Sequence, residues 1–158
     1  MEKGSIAVII LAFNEEKHIE RSITNAKQFA SEVFVVDSFS TDKTREIAQS
    51  LGAAVYTHKW ENYARQFSWS LMNLPIKSQW IWRMDADEYL SSELITEVTS
   101  KVNQVSDEVN GFTAPCLRIF LGKYIKHGIL PLILLRLFRK GSGYIEDKQM
   151  DEHIVLTS

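Results

Sequence analysis

Two aspartates stand one residue apart in Asp85-Ala86-Asp87, directly after the apolar run Trp80–Met84. Carboxylates at that spacing can meet one hard divalent cation and a ribose. Mg²⁺ and Mn²⁺ take oxygen ligands and commonly complete their shells with substrate phosphates. Taken alone the pair is weak. Seven aspartates in 158 residues give about 0.3 such pairs by chance, and an acidic turn capping the next helix explains it equally well. Position changes the weighting. Asn14 and Glu15 follow the apolar run Ile6–Leu11, and Asp37 follows Val33–Val36. If these runs are strands of one sheet, the polar residues gather at one edge, where carboxylates are costly unless a cation or a hydrogen-bonding ligand uses them.

The elements that must position these residues are legible. Ile6–Leu11 is almost continuously apolar and β-branched, as a strand covered on both faces requires. Ile19, Ile23, Ala26 and Ala30 recur at helical spacing and predict a helix from about Glu16 to Phe29. After the second strand, Ser40, Thr41 and Asp42 offer N-cap side chains. Ile47, Ala48 and Leu51 supply the buried face of the helix that follows, and Gly52 its C-terminal glycine. Ala53–Thr57 reads as a third strand. Tyr63, Phe67 and Leu71 form the next stripe, which Pro75 ends. Trp80–Met84 is a fourth strand, and Ser91 or Ser92 caps a helix facing inward through Leu94, Ile95, Val98, Val102 and Val105. The alternation predicts an α/β fold, a mostly parallel sheet flanked by helices. Ligands of such a sheet bind outside the carboxyl ends of its strands. From Gly111 the pattern weakens to two strands, Phe112–Cys116 and Leu135–Phe138, with a mixed stretch between them.

A chain of 158 residues and 18.2 kDa fits one domain. Its 45% hydrophobic and 24% charged residues are globular composition. The single cysteine, Cys116, excludes an intrachain disulfide framework and a cysteine-rich zinc site. A net charge of −2 argues against a nucleic-acid binder. Residues 1–108 carry 11 basic and 16 acidic side chains, residues 109–158 carry 7 and 4, and no acid lies between Glu108 and Glu146. The two parts therefore have different electrostatic tasks. The run Ile6–Phe13 after Lys3 lacks a signal-peptide cleavage site and reads as a strand. Ile129–Leu135, interrupted by Pro131, is far short of the ~20 residues that span a bilayer. A cytoplasmic location is expected, at most peripheral at the inner face of the cytoplasmic membrane. Arg118, Lys123, Lys126, Arg136, Arg139 and Lys140 around Ile129–Leu135 suit an anionic membrane surface or a lipid-linked acceptor, or else the apolar residues are core and the bases are solvated.

The segments ILAFNEEKHIERSI near the start, VVDSFSTDKTREIA at 35–48, WIWRMDADEYL at 80–90, LRLFRKG at 135–141 and MDEHIVL at 150–156 resemble, in order, those of family 2 glycosyltransferases with the GT-A fold. They look most like bacterial members that decorate lipopolysaccharide cores, capsules or related surface glycans. The resemblance implies a single domain over 1–158, with a nucleotide-sugar-binding half at 1–108 and an acceptor and catalytic-base half at 109–158. It implies a metal-dependent, inverting transfer from a nucleotide-diphospho-sugar, a UDP-sugar, to a hydroxyl of a surface-glycan or lipid-linked acceptor.

Residue by residue, the resemblance places Asn14 and Glu15 in the first nucleotide-facing loop and Asp37 on the donor's base. Gln66 falls near the donor, Asp85 faces ribose and metal, and Asp87 is the principal ligand of Mg²⁺ or Mn²⁺. Asp151-Glu152-His153 resembles the acidic motif that supplies the catalytic base, Asp151 or Glu152. Ser68 departs from the pattern, which has asparagine there. His153 either completes the metal shell or merely flanks the acids. Arg136 and Arg139 either neutralise the donor diphosphate through paired donors or form a solvated basic strand edge. His18 reads as surface, and His58 and His127 have no evident partner. Trp60, Trp69, Trp80 and Trp82 can include a sugar-stacking platform, although packing is the commoner role.

Other uses of these motifs fit less well. A phosphatase of the haloacid-dehalogenase type carries Asp-x-Asp after its first strand, with threonine or valine at the fifth position, where this chain has Tyr89. A phospho-receiver domain needs an aspartate after the third strand, which here ends in Tyr56-Thr57-His58-Lys59. A nucleotidyltransferase needs a glycine-rich basic loop where Phe13-Asn14-Glu15-Glu16 stands. The remaining alternative is a nucleotide-sugar-binding domain without turnover, its acceptor region missing, since the sequence stops five residues after His153.

Overall fold

All seven residues of β1 (Ile6–Ala12) are buried, which places this strand at the centre of a sheet covered on both faces. The computed structural model describes residues 4–121, 123–125, 132–147 and 153–157. In chain order, β1 is followed by α1 (Ile19–Ala26), β2 (Glu32–Asp37), α2 (Thr44–Ser50), β3 (Ala54–Thr57), α3 (Tyr63–Asn73), β4 (Trp80–Asp85) and α4 (Ser92–Gln104). Then come β5 (Gly111–Cys116), the short β6 (Ile119–Phe120) and β7 (Lys123–Tyr124), β8 (Leu132–Arg139), β9 (Gly143–Ile145) and β10 (Ile154–Leu156). The main sheet has the order β3-β2-β1-β4-β8-β5. β3, β2, β1 and β4 run parallel, and β8 runs antiparallel to both β4 and β5. The predicted α/β class, mostly parallel and flanked by helices, is the one observed.

Alternation along β1 divides the core. Ile6, Val8, Ile10 and Ala12 pack with Ile19, Ile23 and Ala26 of α1, Ala48 of α2, and Val98 and Val102 of α4. Ala7, Ile9 and Leu11 face Ala64 and Phe67 of α3, with Ile145 and Ile154 from the β9–β10 pair completing that side. A fully buried isoleucine contributes roughly 1.5–3 kcal/mol relative to exposure, so β1 anchors both layers. Among the described residues no helix is long and apolar enough to cross a membrane.

Local differences from expectation have local causes. Regular helix in α1 covers only Ile19–Ala26, with turns on either side. α2 begins at Thr44 because Asp42 receives the Thr44 N–H at 3.0 Å, while Ser40 is engaged with Asp37. Gly52 does take the left-handed conformation expected after a helix, at φ +74°. α3 buries Ala64, Gln66, Phe67 and Ser70. Its inward face is therefore rotated from the Tyr63–Phe67–Leu71 stripe, and Tyr63 is 45% exposed. Asn62 caps this helix by accepting the Arg65 N–H at 2.8 Å, and Ser91 caps α4 by accepting that of Leu94 at 3.2 Å. β8 is longer than the predicted Leu135–Phe138, and its pairing with β5 skips Arg136: Phe112 lies opposite Leu137 and Thr113 opposite Leu135. An extra residue of this kind bends a strand and re-aims its side chain.

Candidate active site

The register of the parallel strands brings the acidic residues to one edge. Leu11 pairs with Asp85 on one side of β1 and Ala12 with Asp37 on the other. Chain order reverses direction at β1, which has β2 on one flank and β4 on the other. This is the switch point at which open α/β sheets bind ligands.

Around β1 and β2 the polar residues knit two loops together. The Asn14 N–H donates to Ser40 Oγ at 2.8 Å, and Asn14 Oδ1 accepts the Thr41 N–H at 2.8 Å. Glu15 donates its N–H to Thr44 Oγ1 at 2.7 Å, and its carboxylate meets His18 Nδ1 at 2.8 Å. Asp37 is fully buried. Its carboxylate accepts the Ser40 N–H at 2.8 Å and the Ser40 hydroxyl, with Arg45 Nε at 3.7 Å. Gln66, also buried, donates to Ser38 Oγ at 3.1 Å and to the His58 carbonyl at 3.3 Å. Its Oε1 lies 2.7 Å from His58 Nδ1. His58 thus has a partner that the sequence did not reveal, and it stacks on Trp69 at 4.4 Å between centroids. Gln66 ties α3 to the residues that follow β2 and β3. Phe13 and Phe39, at the ends of β1 and β2, are exposed aromatics missed by sequence reasoning. Phe39 sits at φ +61°, a conformation costing roughly 1–2 kcal/mol for such a residue.

The end of β4 is a tight acidic turn. Glu88 donates its N–H to the Asp85 carbonyl at 3.0 Å, and Glu88 Oε2 accepts the Asp85 N–H at 3.1 Å. Asp85 Oδ1 is buried without a hydrogen-bond partner among the described residues. Asp87 is exposed, and its carbonyl accepts from Arg21 at 2.8 Å. Asn25 of α1 clamps the far side of the turn through both backbone groups of Leu90. Arg136 reaches in from β8, 2.5 Å from Glu88 Oε1 and 3.9 Å from Asp85 Oδ2. Burial pushes the Glu88 carboxyl above the usual range, and Arg136 opposes that shift. Neither Glu88 as a partner nor the Glu88–Arg136 pair was foreseen.

Asp85, Glu88 and Arg136 line a cleft of about 680 Å³ with His153, Cys116, Arg83, Trp60 and Tyr63. Trp60 and Tyr63 meet edge to face at 4.8 Å. His153 Nδ1 lies 3.6 Å from Glu146. Arg139, expected near a diphosphate, does not join this site. It pairs with Trp80 at the opposite end of β4. There it stacks over the indole at 4.4 Å and donates to the Val109 and Ser106 carbonyls at 2.8 and 3.0 Å. Arg136 is engaged with carboxylates instead of standing as an open strand edge. Asp151 and Glu152 lie outside the described residues.

Among the described residues no three His, Cys, Asp or Glu side chains form a metal cluster, so Asp85, Asp87 and His153 are not gathered as one ligand set. The residues nonetheless fit a hard cation. An unpartnered buried carboxylate oxygen and an exposed carboxylate two residues away form an all-oxygen donor set, suited to Mg²⁺ or Mn²⁺ shared with a phosphate-bearing substrate.

The mostly parallel sheet flanked by helices, with acids grouped at the carboxyl ends of its central strands, is a fold of the GT-A class. The sequence matches Glycosyl transferase family 2 over residues 7–139, and the chain belongs to that family. An uncharacterized glycosyltransferase of Rickettsia bellii (strain RML369-C) is 47% identical over 93 residues, 59% of this chain and 31% of that protein. The lipopolysaccharide core biosynthesis glycosyltransferase LpsC of Rhizobium meliloti (strain 1021) is 29% identical over 160 residues, 97% of this chain and 58% of LpsC. The crystal structure of S. aureus TarS superimposes with a TM-score of 0.52 at 21% identity, over 61% of this chain and 19% of that one. The chain thus spans about a third of the Rickettsia relative and somewhat over half of LpsC.

Proposed function

We propose that this chain carries the donor site and catalytic acids of a metal-dependent, inverting glycosyltransferase. It would use a UDP-sugar and a hydroxyl acceptor on a surface glycan or lipid-linked saccharide. The observation that carries the proposal is the unpartnered buried oxygen of Asp85, at the switch-point end of β4 and lining a cleft. A buried carboxylate oxygen is expensive to leave unpaired, and a donor-bound cation would satisfy it. The role named for LpsC supports the surface-glycan acceptor. Residues 1–108 would form the donor half and 109–158 the acceptor and base half.

In this mechanism Asp85 and Asp87 would hold a divalent cation, which would supply Lewis-acid stabilisation of the charge developing on the departing nucleoside diphosphate. Asp37 and the Asn14–Ser40–Thr41 bonds fix the loops that receive the nucleotide. The acceptor oxygen bonds to the anomeric carbon as the bond to the phosphate oxygen breaks, and that electron pair leaves with UDP. Asp151 or Glu152 takes the acceptor's proton on the face opposite the leaving group, so the centre inverts. Trp60 and Tyr63 give the cleft an aromatic wall suited to a sugar ring. A thermal-shift panel of UDP-, GDP- and dTDP-sugars, each with and without Mn²⁺, tests the assignment. The UDP-sugars with Mn²⁺ should raise Tm most, and a panel with no shift would refute donor binding.

We further propose peripheral contact with an anionic membrane. Leu117, Ile119, Leu121, Tyr124 and Ile125 are exposed large apolar residues beside exposed Arg118 and Lys123, a pairing suited to acidic headgroups. Lys126 and Ile129–Pro131 lie outside the described residues. The chain should float with vesicles containing anionic lipid and be released by salt. Failure to float would leave these residues as ordinary surface.

A further inference from the structure

The Arg136 guanidinium is set among the carboxylates of the acidic turn after β4, and it faces the wrong one for a simple account. Arg136 could neutralise Asp85, yet it sits against Glu88 at 2.5 Å and remains 3.9 Å from Asp85 Oδ2, beyond hydrogen-bond reach. Two features enforce this choice. The residue skipped by the β5–β8 register is Arg136, so its direction is set by a bulge. Glu88 in turn is pinned by two bonds to the Asp85 backbone, its Oε2 to the N–H and its own N–H to the carbonyl. The outcome is an Asp85 carboxylate with one buried oxygen unpartnered among the described residues.

We propose that Glu88 is a positioning residue. It holds Arg136 off Asp85 and thereby keeps the Asp85 carboxylate open to a divalent cation. This rests on the metal-dependent reading given above. The physical basis is competition. The Arg136 side chain is 10% exposed, and a charge so enclosed must be paired. Without the Glu88 charge its nearest remaining carboxylate among the described residues is Asp85, roughly 1 Å of movement from a direct hydrogen bond. A guanidinium bonded there would exclude a cation and repel it. The other arginine lining the cleft, Arg83, lies over the Tyr63 and Phe67 rings at 5.7 and 5.6 Å. Asp87 is exposed, and Cys116 Sγ is 4.0 Å from Glu88 Oε1.

The test is calorimetric titration of Mn²⁺ into the full chain with saturating UDP, and of UDP alone in EDTA. Glu88→Gln should weaken Mn²⁺ binding about tenfold or more. Arg136→Met should leave it as tight or tighter. The double variant should behave like Arg136→Met, because Glu88 acts only through Arg136. UDP affinity in EDTA should be unchanged in all three. Thermal melts report folding, and the double variant, which leaves no lone buried guanidinium, keeps the test open should Glu88→Gln not fold. If wild type takes up Mn²⁺ but Glu88→Gln does so equally well, the positioning role is overturned and the functional reading stands. If Arg136→Met weakens UDP binding in EDTA, Arg136 serves the diphosphate directly and the inference fails. If wild type binds no Mn²⁺ with UDP, the functional reading falls, and this inference with it.

Discussion

Asp87→Asn should bind UDP equally well in EDTA and in Mn²⁺, whereas the wild-type chain should bind it at least about tenfold more tightly with the metal. The substitution removes a charge and little else. The Asp87 side chain is exposed, and the neighbouring turn is held by backbone groups that asparagine retains: its carbonyl receives Arg21 at 2.8 Å, and Glu88 closes the turn onto the Asp85 carbonyl at 3.0 Å. Tm without ligand should therefore stay near wild type. A neutral amide oxygen is a poorer ligand for a hard cation than a carboxylate, so under the proposed mechanism the variant would hold the cation poorly. Turnover should fall by about 10²–10³, because the leaving group would depart without its counter-charge. Calorimetry decides the matter. Equal UDP affinity of the wild type in EDTA and in Mn²⁺ would sink metal dependence.

The half of the site nearest β1 was legible because its signals are local. Ile6–Leu11 announces a doubly covered strand, a polar residue directly after an apolar run announces a strand end, and parallel order then brings Asp37 and Asp85 into register beside β1. What escaped depends on contacts remote in sequence. Glu88 and Arg136 are 48 residues apart, and nothing in either neighbourhood specifies a bulge that turns Arg136 toward the turn after β4. Arg139 differs from Arg136 by three positions and has equal charge, yet it lies at the other end of β4, stacked on Trp80. Composition cannot distinguish the two; strand register can. Tyr63 misled for a related reason. It sits at helical spacing with Phe67, but α3 buries the Ala64–Phe67–Ser70 face, leaving Tyr63 to meet Trp60 in the cleft. Gln66 was placed near the donor by resemblance. The structure adds that its amide is occupied by Ser38 and His58, so it ties α3 to the residues that follow β2 and β3.

Changing Asp151 and Glu152 together to their amides should lower transfer by about 10²–10⁴-fold while leaving donor affinity largely intact. Both lie outside the described residues, but His153, the residue that follows them, lines the cleft with Asp85 and Glu88. A base must reach the acceptor oxygen on the side of the anomeric carbon away from the departing diphosphate, so it has to come from an element other than the turn that would hold the metal. β9 and β10, the described strands that flank the two acids in sequence, are such elements. They form a separate antiparallel pair, with Ile145 opposite Ile154, and pack against the α3 side of the core. Loss of a group that acts only in the transition state lowers turnover without weakening ground-state binding, and that split separates a base from a residue with a merely structural role. The single variants then divide the roles. The base should lose turnover at constant acceptor KM, while a residue that orients the acceptor should raise KM. Normal turnover in an enzyme carrying both amides would establish that neither acid is the base, and the proton would need another acceptor.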